Sequence, residues 1–128
     1  MEIRSLIGHG AVTCTPDTVL HEAAKLMMEE EVGSLAVMEG ESDLAGIITE
    51  RDVLKAVALG AEPKAATVND WMTPRPDVTD PEMEVMEAAQ WMLATGYRHL
   101  PVMEGHRLLG IASIKDVLWA LTEPAGRP

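Results

Sequence analysis

The sequence predicts a mixed α/β fold of the α+β type, in which two β-α-β-β-α units pack with pseudo-twofold symmetry. Three observations predict it: an internal repeat, an apolar stripe at helical spacing in each copy, and two short apolar runs around a turn after each stripe. A lone unit of about 50 residues is marginal in size, so we expect the two copies to pack on each other.

The repeat aligns at an offset of 65 residues and then of 64. Val37–Gly40 matches Val102–Gly105, and Gly46-Ile47 matches Gly110-Ile111. The predicted boundaries are 1–60 for the first unit, 61–77 for a linker and lead-in segment, 78–122 for the second unit and 123–128 for a frayed tail.

The residue pattern of the first copy predicts a strand, a helix, two strands and a second helix. A strand at 12–14 precedes a helix that starts near Pro16-Asp17-Thr18 and ends at Gly33, because glycine is a common helix terminator. Strands at 35–38 and 44–48 flank a polar turn, and a short helix follows at about 50–59. The apolar stripe of the first helix comprises Leu20, Ala23, Ala24, Met27 and Met28.

The second copy repeats this order after a linker. The linker predicts a short helix near Val68–Met72 and a proline-rich exit at 73–76. Strands are expected at 100–103 and 108–112, and a last helix at 114–122. The stripe of the preceding helix comprises Val85, Ala88, Ala89, Met92 and Leu93, with Gly96 at its end.

Composition excludes several classes of protein. The formal net charge of −11 argues against a nucleic-acid binder, and no apolar run reaches the roughly 18 residues that a membrane span requires. Cys14, the single cysteine, predicts a reducing cytoplasm without an internal disulfide. The four histidines have no metal-site spacing, so no metal is expected.

Two segments carry a family resemblance. Gly46–Asp52 and Gly110–Asp116, each at the end of a β-α-β-β-α order, resemble the motifs of a tandem pair of CBS domains, the module named after cystathionine β-synthase. Met72-Thr73-Pro74 and Arg98–Val102 also match, and the resemblance covers roughly residues 5–122. Ala36 departs from the family's usual Pro, and Gly8-His9-Gly10 departs from its usual Met-Thr.

The resemblance implies a regulatory or sensor module rather than an enzyme. It implies no required cofactor and a regulatory ligand, AMP, ADP, ATP or S-adenosylmethionine, bound in clefts between the two units. One cleft would use Thr73, Pro76, Arg98 and His99 with Ile47, Thr49 and Asp52. The other would use Ala11 and Ser34 with Ile111, Ser113 and Asp116.

Two other functions stay open. The clefts could be empty in a pure interaction and dimerisation module, or the protein could be an enzyme acting on an adenosyl ligand. Thr49-x-x-Asp52 and Ser113-x-x-Asp116 also fit capping boxes, in which hydroxyl and carboxylate serve the helix instead of a ligand. No nucleophile, metal or Walker motif favours the enzyme.

Three large side chains predict a homodimer. Leu26, Trp91 and Trp119 are apolar where the helical wheels place them away from the core stripes, and closed twofold symmetry is the commonest assembly. The alternative is that these positions are covered within one chain. The protein that such a module regulates is unknown from the sequence.

Overall fold

The computed structural model describes residues 1–8 and 10–122, so the predicted tail at 123–128 lies outside the described residues. The chain forms two compact units, which we name by the repeat each contains. The first unit is Ala11–Pro76, and the second unit is Met1–Gly10 together with Asp77–Pro128. The elements, in order, are β1 Thr13–Cys14, α1 Leu20–Glu30, β2 Ser34–Glu39, β3 Asp43–Thr49, α2 Glu50–Ala58, α3 Val68–Trp71, β4 Thr73–Pro74, α4 Val85–Thr95, β5 His99–Glu104, β6 Arg107–Ser113 and α5 Ile114–Thr122.

The first unit is built on a four-stranded sheet in the order β1-β2-β3-β4. β1 runs parallel to β2, while β2 and β3 form an antiparallel hairpin and β4 adds to the far edge of β3. α1 and α2 pack on each other and on the sheet. The core of the unit consists of Cys14, Leu20, Ala23, Met27, Leu35, Val37, Ile48, Ala56 and Val68.

The second unit repeats this arrangement with a smaller sheet. β5 and β6 form an antiparallel hairpin, and a parallel bridge between Thr79 and Val102 stands where β1 meets β2 in the first unit. α4 and α5 pack together. The core of this unit consists of Ile3, Ile7, Val85, Ala88, Met92, Leu100, Val102, Ala112 and Val117.

The compact units group the chain differently from the predicted boundaries. The N-terminal segment, predicted within 1–60, packs on the second unit: Ile3 is fully buried there, and its N–H donates to the carbonyl of Met83 at 2.7 Å. The predicted linker packs on the first unit, where Val68 is fully buried and donates its N–H to Thr18. Each segment thus supplies apolar side chains and backbone hydrogen bonds that a repeat of about 50 residues lacks.

The structure refines two local features. α1 ends at Glu30 rather than at Gly33, because Glu31 takes the left-handed conformation, with φ 55°, and donates its N–H to the last-turn carbonyls. Within the proline-rich exit at 73–76, Thr73-Pro74 forms the short strand β4, which pairs with β3. Proline is tolerated there since β4 is an edge strand.

Candidate functional site

The first unit brings hydroxyl groups and a carboxylate together where β3 enters α2. Thr49 is the N-cap of α2, and its Oγ1 accepts the N–H of Asp52 at 3.2 Å. The Asp52 carboxylate accepts the N–H of Thr49 at 2.9 Å through Oδ2. This pair is a complete capping box, so the capping role weighed from the sequence is confirmed. Neither the other carboxylate oxygen nor the hydroxyl proton of Thr49 is used by that box.

Ser34 lies directly opposite Thr49 in the β2–β3 register. Opposite residues of an antiparallel pair project to the same face, so Ser34 joins the Thr49 side of the sheet. Ser34 is 6% exposed, and its hydroxyl has no hydrogen bond to any residue that the structure describes. Burying a hydroxyl without a hydrogen bond costs about 1–3 kcal/mol.

The edge strand β4 places the linker beside this cluster. Thr73 is the register partner of Ile47, two residues before Thr49, and Pro74 is the partner of Gly46. Gly46 permits this approach: a Cβ at that position would lie 2.6 Å from the carbonyl oxygen of Thr73. Thr73, Ile47, Thr49 and Asp52, which the sequence grouped in one site, therefore belong to one sheet edge and its helix.

The rest of the lead-in is held in an unusual conformation. Arg75, which sequence reasoning missed, has φ 44° and donates its N–H to the carbonyl of Ala45 at 3.0 Å. Its side chain is exposed, and Pro76 beside it is half-buried. In the sequence, the two prolines that flank Arg75, at positions 74 and 76, are the pattern that indicates an unusual backbone conformation at this arginine. Ala11, the first residue of the same unit, precedes β1 and is half-buried.

The second unit contains the equivalent box with different hydrogen bonding. Asp116 Oδ2 accepts both the N–H of Ser113 at 3.1 Å and its hydroxyl at 2.9 Å, and Ser113 Oγ accepts the N–H of Asp116 at 3.2 Å. The Ser113 hydroxyl is therefore fully engaged, unlike that of Thr49. His99, half-buried, is the register partner of Ser113 and occupies the position of Ser34.

In the second unit, the segment around Ile7 and Gly8 occupies the place that Met72 and Thr73 have in the first unit, and it differs strongly from them. Ile7 packs on Gly110, where a Cβ would lie 2.8 Å from Cβ of Ile7, so Gly110 repeats the close approach seen at Gly46. No hydroxyl equivalent to Thr73 follows, because Gly8 stands there. Arg98 is exposed and Ile111 is half-buried, while the Arg98 carbonyl accepts the N–H of Ile114 at the start of α5.

The strand register brings predicted site residues together in pairs within each unit. Ser34 pairs with Thr49, and His99 pairs with Ser113, although the sequence assigned each of these pairs to opposite sets. The reason is that the two residues of each pair lie on the two strands of one hairpin, β2 and β3 in the first unit and β5 and β6 in the second. The first unit contains Ala11, Ser34, Ile47, Thr49, Asp52, Thr73 and Pro76, and the second contains Arg98, His99, Ile111, Ser113 and Asp116.

Other reactive groups do not form a site. Burial raises the pKa of the Cys14 thiol to about 11, so this sulfur stays protonated at neutral pH. Within residues 1–8 and 10–122 no cluster of His, Cys, Asp and Glu could hold a metal ion. No helix in this part of the chain is long and apolar enough to cross a membrane.

Two of the three predicted dimer residues pack within their own units. Leu26 and Trp91 are half-buried against the cores, and Trp91 stacks on Tyr97 with ring centroids 5.8 Å apart. The expectation that both lie away from the core was wrong. Each follows a buried alanine by three positions, which places it on the flank of the core stripe. Trp119 is 53% exposed, as expected.

A family model of the CBS domain matches this chain twice, over residues 3–59 and 68–123. The chain belongs to the CBS-domain family. These two matches cover both copies of the repeat, including both Gly-to-Asp motifs, and confirm the family resemblance of the sequence.

Proteins similar to this CBS pair come from distant organisms. An uncharacterized 17.7 kDa protein of Acidianus ambivalens is 38% identical over 109 residues, which are 84% of this chain and 65% of that protein. The mitochondrial CBS domain-containing protein CBSX3 of Arabidopsis thaliana is 40% identical over 84% of this chain and 55% of its own length. The chain thus spans less than two thirds of these relatives.

Solved structures confirm the fold. A protein with CBS domains from Burkholderia ambifaria superposes with a TM-score of 0.92 at 30% identity, covering 100% of this chain and 98% of that one. The mixed α/β architecture of two β-α-β-β-α units is therefore that of a CBS-domain pair.

Proposed function

We propose that this CBS pair is a regulatory sensor that binds an adenosine-containing ligand, AMP, ADP, ATP or S-adenosylmethionine, at the first unit's cluster of Ser34, Thr49 and Asp52. The single observation that carries the proposal is the Ser34 hydroxyl, buried and without a hydrogen-bond partner among the described residues. A ligand hydroxyl, amine or ring nitrogen supplies the missing partner and recovers the cost of burying that group.

The neighbouring groups suit the other parts of such a ligand. The Asp52 oxygen outside the capping box can accept both ribose hydroxyls. At the start of α2, the N–H of Glu50 donates to the carbonyl of Gly33 and that of Asp52 to the Thr49 hydroxyl, so the N–H of Arg51 is the one that can donate to a phosphate. Thr73 supplies a second hydroxyl beside Ile47, and Ile47 and Pro76 supply apolar surface for the adenine ring.

The second unit offers a weaker version of the same site. Ser113 and Asp116 repeat the box, and Arg98 can supply a charge-assisted contact to an anionic group. Ser113 already donates to Asp116, however, and Gly8 replaces the hydroxyl of Thr73. The proposal therefore assigns the tighter site to the first unit. Ala11, His99 and Ile111 complete the residues carried over from the family resemblance.

Related structures support the ligand class. The CBS-domain pair of protein MJ0100, 22% identical with a TM-score of 0.85, shares this fold, and its structure is a complex with 5′-methylthioadenosine and S-adenosyl-L-methionine. Inosine-5′-monophosphate dehydrogenase of Methanocaldococcus jannaschii matches this chain over 21% of its length at 35% identity. CBS pairs thus also occur within enzymes, and we propose a regulatory rather than catalytic role for the site described here.

Thermal denaturation with a panel of adenosine ligands tests this function. A ligand at 100 times its dissociation constant should stabilise the wild-type protein by roughly 2.7 kcal/mol. Ser34→Ala should abolish or strongly reduce that shift while leaving the ligand-free protein equally or more stable, because it removes an unpaired hydroxyl. Ser42→Ala, in the exposed turn, is the matched control and should respond as the wild type does.

Two results contradict the proposal. If no ligand of the panel shifts the melting temperature, the remaining function is the interaction module. If Ser34→Ala destabilises the ligand-free protein, its hydroxyl has a structural partner and carries no ligand argument.

We also infer that the module acts in the cytoplasm as a homodimer and regulates a second protein. Cys14, buried and protonated, fits a reducing compartment. The exposed Trp119 favours self-association. CBS-CP12 of bloom-forming cyanobacteria, 30% identical over 98% of this chain, is a hexamer, so assembly occurs in the family. Sedimentation of the wild-type chain tests this inference.

A further inference from the structure

The start of helix α2 and the start of helix α5 are equivalent positions of the two repeats, and they carry different charges. In the first unit the N–H of Glu50 donates to the carbonyl of Gly33 at 3.0 Å, and in the second unit the N–H of Ile114 donates to the carbonyl of Arg98 at 2.8 Å. Because these hydrogen bonds match, side chains at equivalent positions around the two helix starts can be compared directly.

The helix start of the first unit is acidic. Glu50 is the first residue of α2, and Glu31 lies two residues before the glycine whose carbonyl accepts the Glu50 N–H. Both carboxylates are exposed, and neither forms an ion pair within residues 1–8 and 10–122. With Asp52 and the exposed Arg51 they make three acids and one base, a formal charge of −2.

The helix start of the second unit has the opposite balance, with two bases and one acid and a formal charge of +1. The equivalent residues, first unit then second, are Glu31 and Gly96, Gly33 and Arg98, Glu50 and Ile114, Arg51 and Lys115, and Asp52 and Asp116. Since both units have the same fold, folding alone does not require the acids of the first unit.

Glu31 is unfavourable for the first unit in two respects. It takes the left-handed conformation, with φ 55°, and its carboxylate follows the negative end of the α1 dipole. Gly96, at the equivalent end of α4, has neither cost. A residue that opposes local stability, at a position where the repeat accepts glycine, points to a role outside folding.

The charge at the start of α2 bears on the 5′ group of a ligand held by Ser34 and its neighbours. ADP and ATP carry several negative charges on that group, and the Arg51 N–H is the one described donor left for a phosphate at the helix start. Glu31 and Glu50 repel further phosphates and attract a cation. S-adenosylmethionine carries a positive sulfonium on the 5′ carbon, where ATP carries its phosphates.

We propose that the first unit's site selects adenosine ligands with a cationic or uncharged 5′ group, S-adenosylmethionine above all, against ADP and ATP, and that Glu31 and Glu50 set this preference. The inference rests on the proposed function and names the ligand class of that site. Ser34 and Asp52 contact the adenosine part that all these ligands share, whereas the two glutamates act on the 5′ group alone.

Calorimetric titration of the full chain with S-adenosylmethionine and with ATP, without magnesium, tests the preference. S-adenosylmethionine should bind at least about tenfold more tightly than ATP, and the heat that Ser34→Ala removes identifies the first unit's site. The double variant Glu31→Gln/Glu50→Gln should reduce the ratio of the two dissociation constants about three- to tenfold, because exposed charges act weakly in water. High salt should also reduce the ratio, since it screens exposed charges.

Two further variants keep the test sharp. If Glu31→Gln/Glu50→Gln fails to fold, Glu31→Gly/Glu50→Gln takes its place, with the glycine that the second unit has at this position. Glu39→Gln/Glu41→Gln is the matched control. It removes the same charge from exposed positions in and beside the turn between β2 and β3, at the opposite end of the hairpin from Ser34, and should leave the ratio unchanged.

The outcomes separate this inference from the proposed function. If no adenosine ligand binds, both are refuted. If ATP binds as tightly as S-adenosylmethionine or more tightly, the ligand preference is refuted and the adenosine site stands. A ratio that Glu31→Gln/Glu50→Gln leaves unchanged, or that the control changes equally, refutes the assignment of the preference to these two acids.

Discussion

Thr49 and Asp52 exchange two hydrogen bonds, from the Thr49 N–H to the Asp52 carboxylate at 2.9 Å and from the Asp52 N–H to the Thr49 hydroxyl at 3.2 Å. One oxygen of the carboxylate therefore serves the helix, and the other lies outside the capping box, where we propose that it accepts the ribose hydroxyls of a ligand. An alanine at position 52 removes both functions at once, so it cannot separate them.

Asp52→Asn separates the two functions. Its amide oxygen can still accept the N–H of Thr49, so the free energy of unfolding should change by less than the roughly 1 kcal/mol typical of a lost N-cap. Binding of an adenosine ligand should weaken at least about tenfold, because a charged acceptor for the ribose hydroxyls is lost. Calorimetric titration measures the binding, and chemical denaturation measures the stability.

Asp116→Asn is the control for Asp52→Asn. We expect a smaller loss of affinity from it, since the proposed tighter site is in the first unit. Equal affinity of the wild type and Asp52→Asn for every adenosine ligand that binds would assign Asp52 to capping only.

The repeat explains why most of the fold could be predicted. Helices and hairpins follow from apolar spacing that occurs twice, and both Gly-to-Asp motifs end up at the start of a helix as expected. What could not be predicted is where each lead-in segment packs. Burial of Ile3 in the second unit and Val68 in the first depends on contacts distant in sequence, which local patterns do not encode.

The membership of the candidate site stays a prediction, and the structure adds which of its residues lie side by side. The family resemblance supplied Ser34, Thr49 and Asp52, while the pairing of Ser34 with Thr49 is set by the register of β2 and β3. The engagement of the Ser113 hydroxyl by Asp116 and the freedom of the Thr49 hydroxyl proton are likewise details of hydrogen-bond geometry. For Trp91, the helical wheel placed the side chain away from the core, whereas its ring packs against the core and stacks on Tyr97.

Glu31→Gly should stabilise the protein. Glu31 has φ 55° at the end of α1, where a side chain costs roughly 1–2 kcal/mol, and Gly96 stands at the equivalent end of α4 with φ 81°. The change also removes a negative charge from the negative end of the helix dipole. Part of this gain is offset by the greater freedom of glycine in the unfolded chain, so we expect about 1 kcal/mol and a rise of a few degrees in Tm.

Gly96→Ala is the reciprocal control and should lower the free energy of unfolding by a similar amount. Should Glu31→Gly prove neutral or destabilising in chemical denaturation, the left-handed end of α1 would be compensated by contacts of the glutamate side chain.

The Cys14 thiol predicts a pH dependence of stability. Its pKa is raised by burial to about 11 in the folded protein, above that of an exposed thiol near 8.5. Above about pH 8.5, the thiol is ionised in more of the unfolded molecules than of the folded molecules, so the unfolded state binds fewer protons. Stability from this group is therefore complete below about pH 8.5 and decreases as the pH rises toward 11. Cys14→Ala should remove that part of the alkaline slope in denaturation curves.

Thiol labelling gives an independent measure for Cys14. Its reaction with a disulfide reagent at pH 8 should be much slower in the folded protein than in denaturant. Equal rates would mean that the thiol is accessible and its pKa ordinary.

Gly46→Ala should damage the first unit, because the added Cβ would lie 2.6 Å from both the Thr73 carbonyl oxygen and Sδ of Met72. Sδ belongs to a flexible side chain that can move, but the carbonyl is part of β4 and must shift with its strand. We expect a loss of about 1–3 kcal/mol in the free energy of unfolding and weaker adenosine-ligand binding, since Thr73 moves away from Ile47.

Gly110→Ala should destabilise the second unit, because the added Cβ would lie 2.8 Å from Cβ of Ile7, and it should have a smaller effect on binding at the first unit. Gly8→Ala, where no atom lies within 4 Å of the added Cβ, is the control and should leave stability unchanged. Denaturation curves and ligand titrations of the three variants check these expectations, and a Gly46→Ala protein that keeps wild-type stability and affinity would show that β4 does not position Thr73.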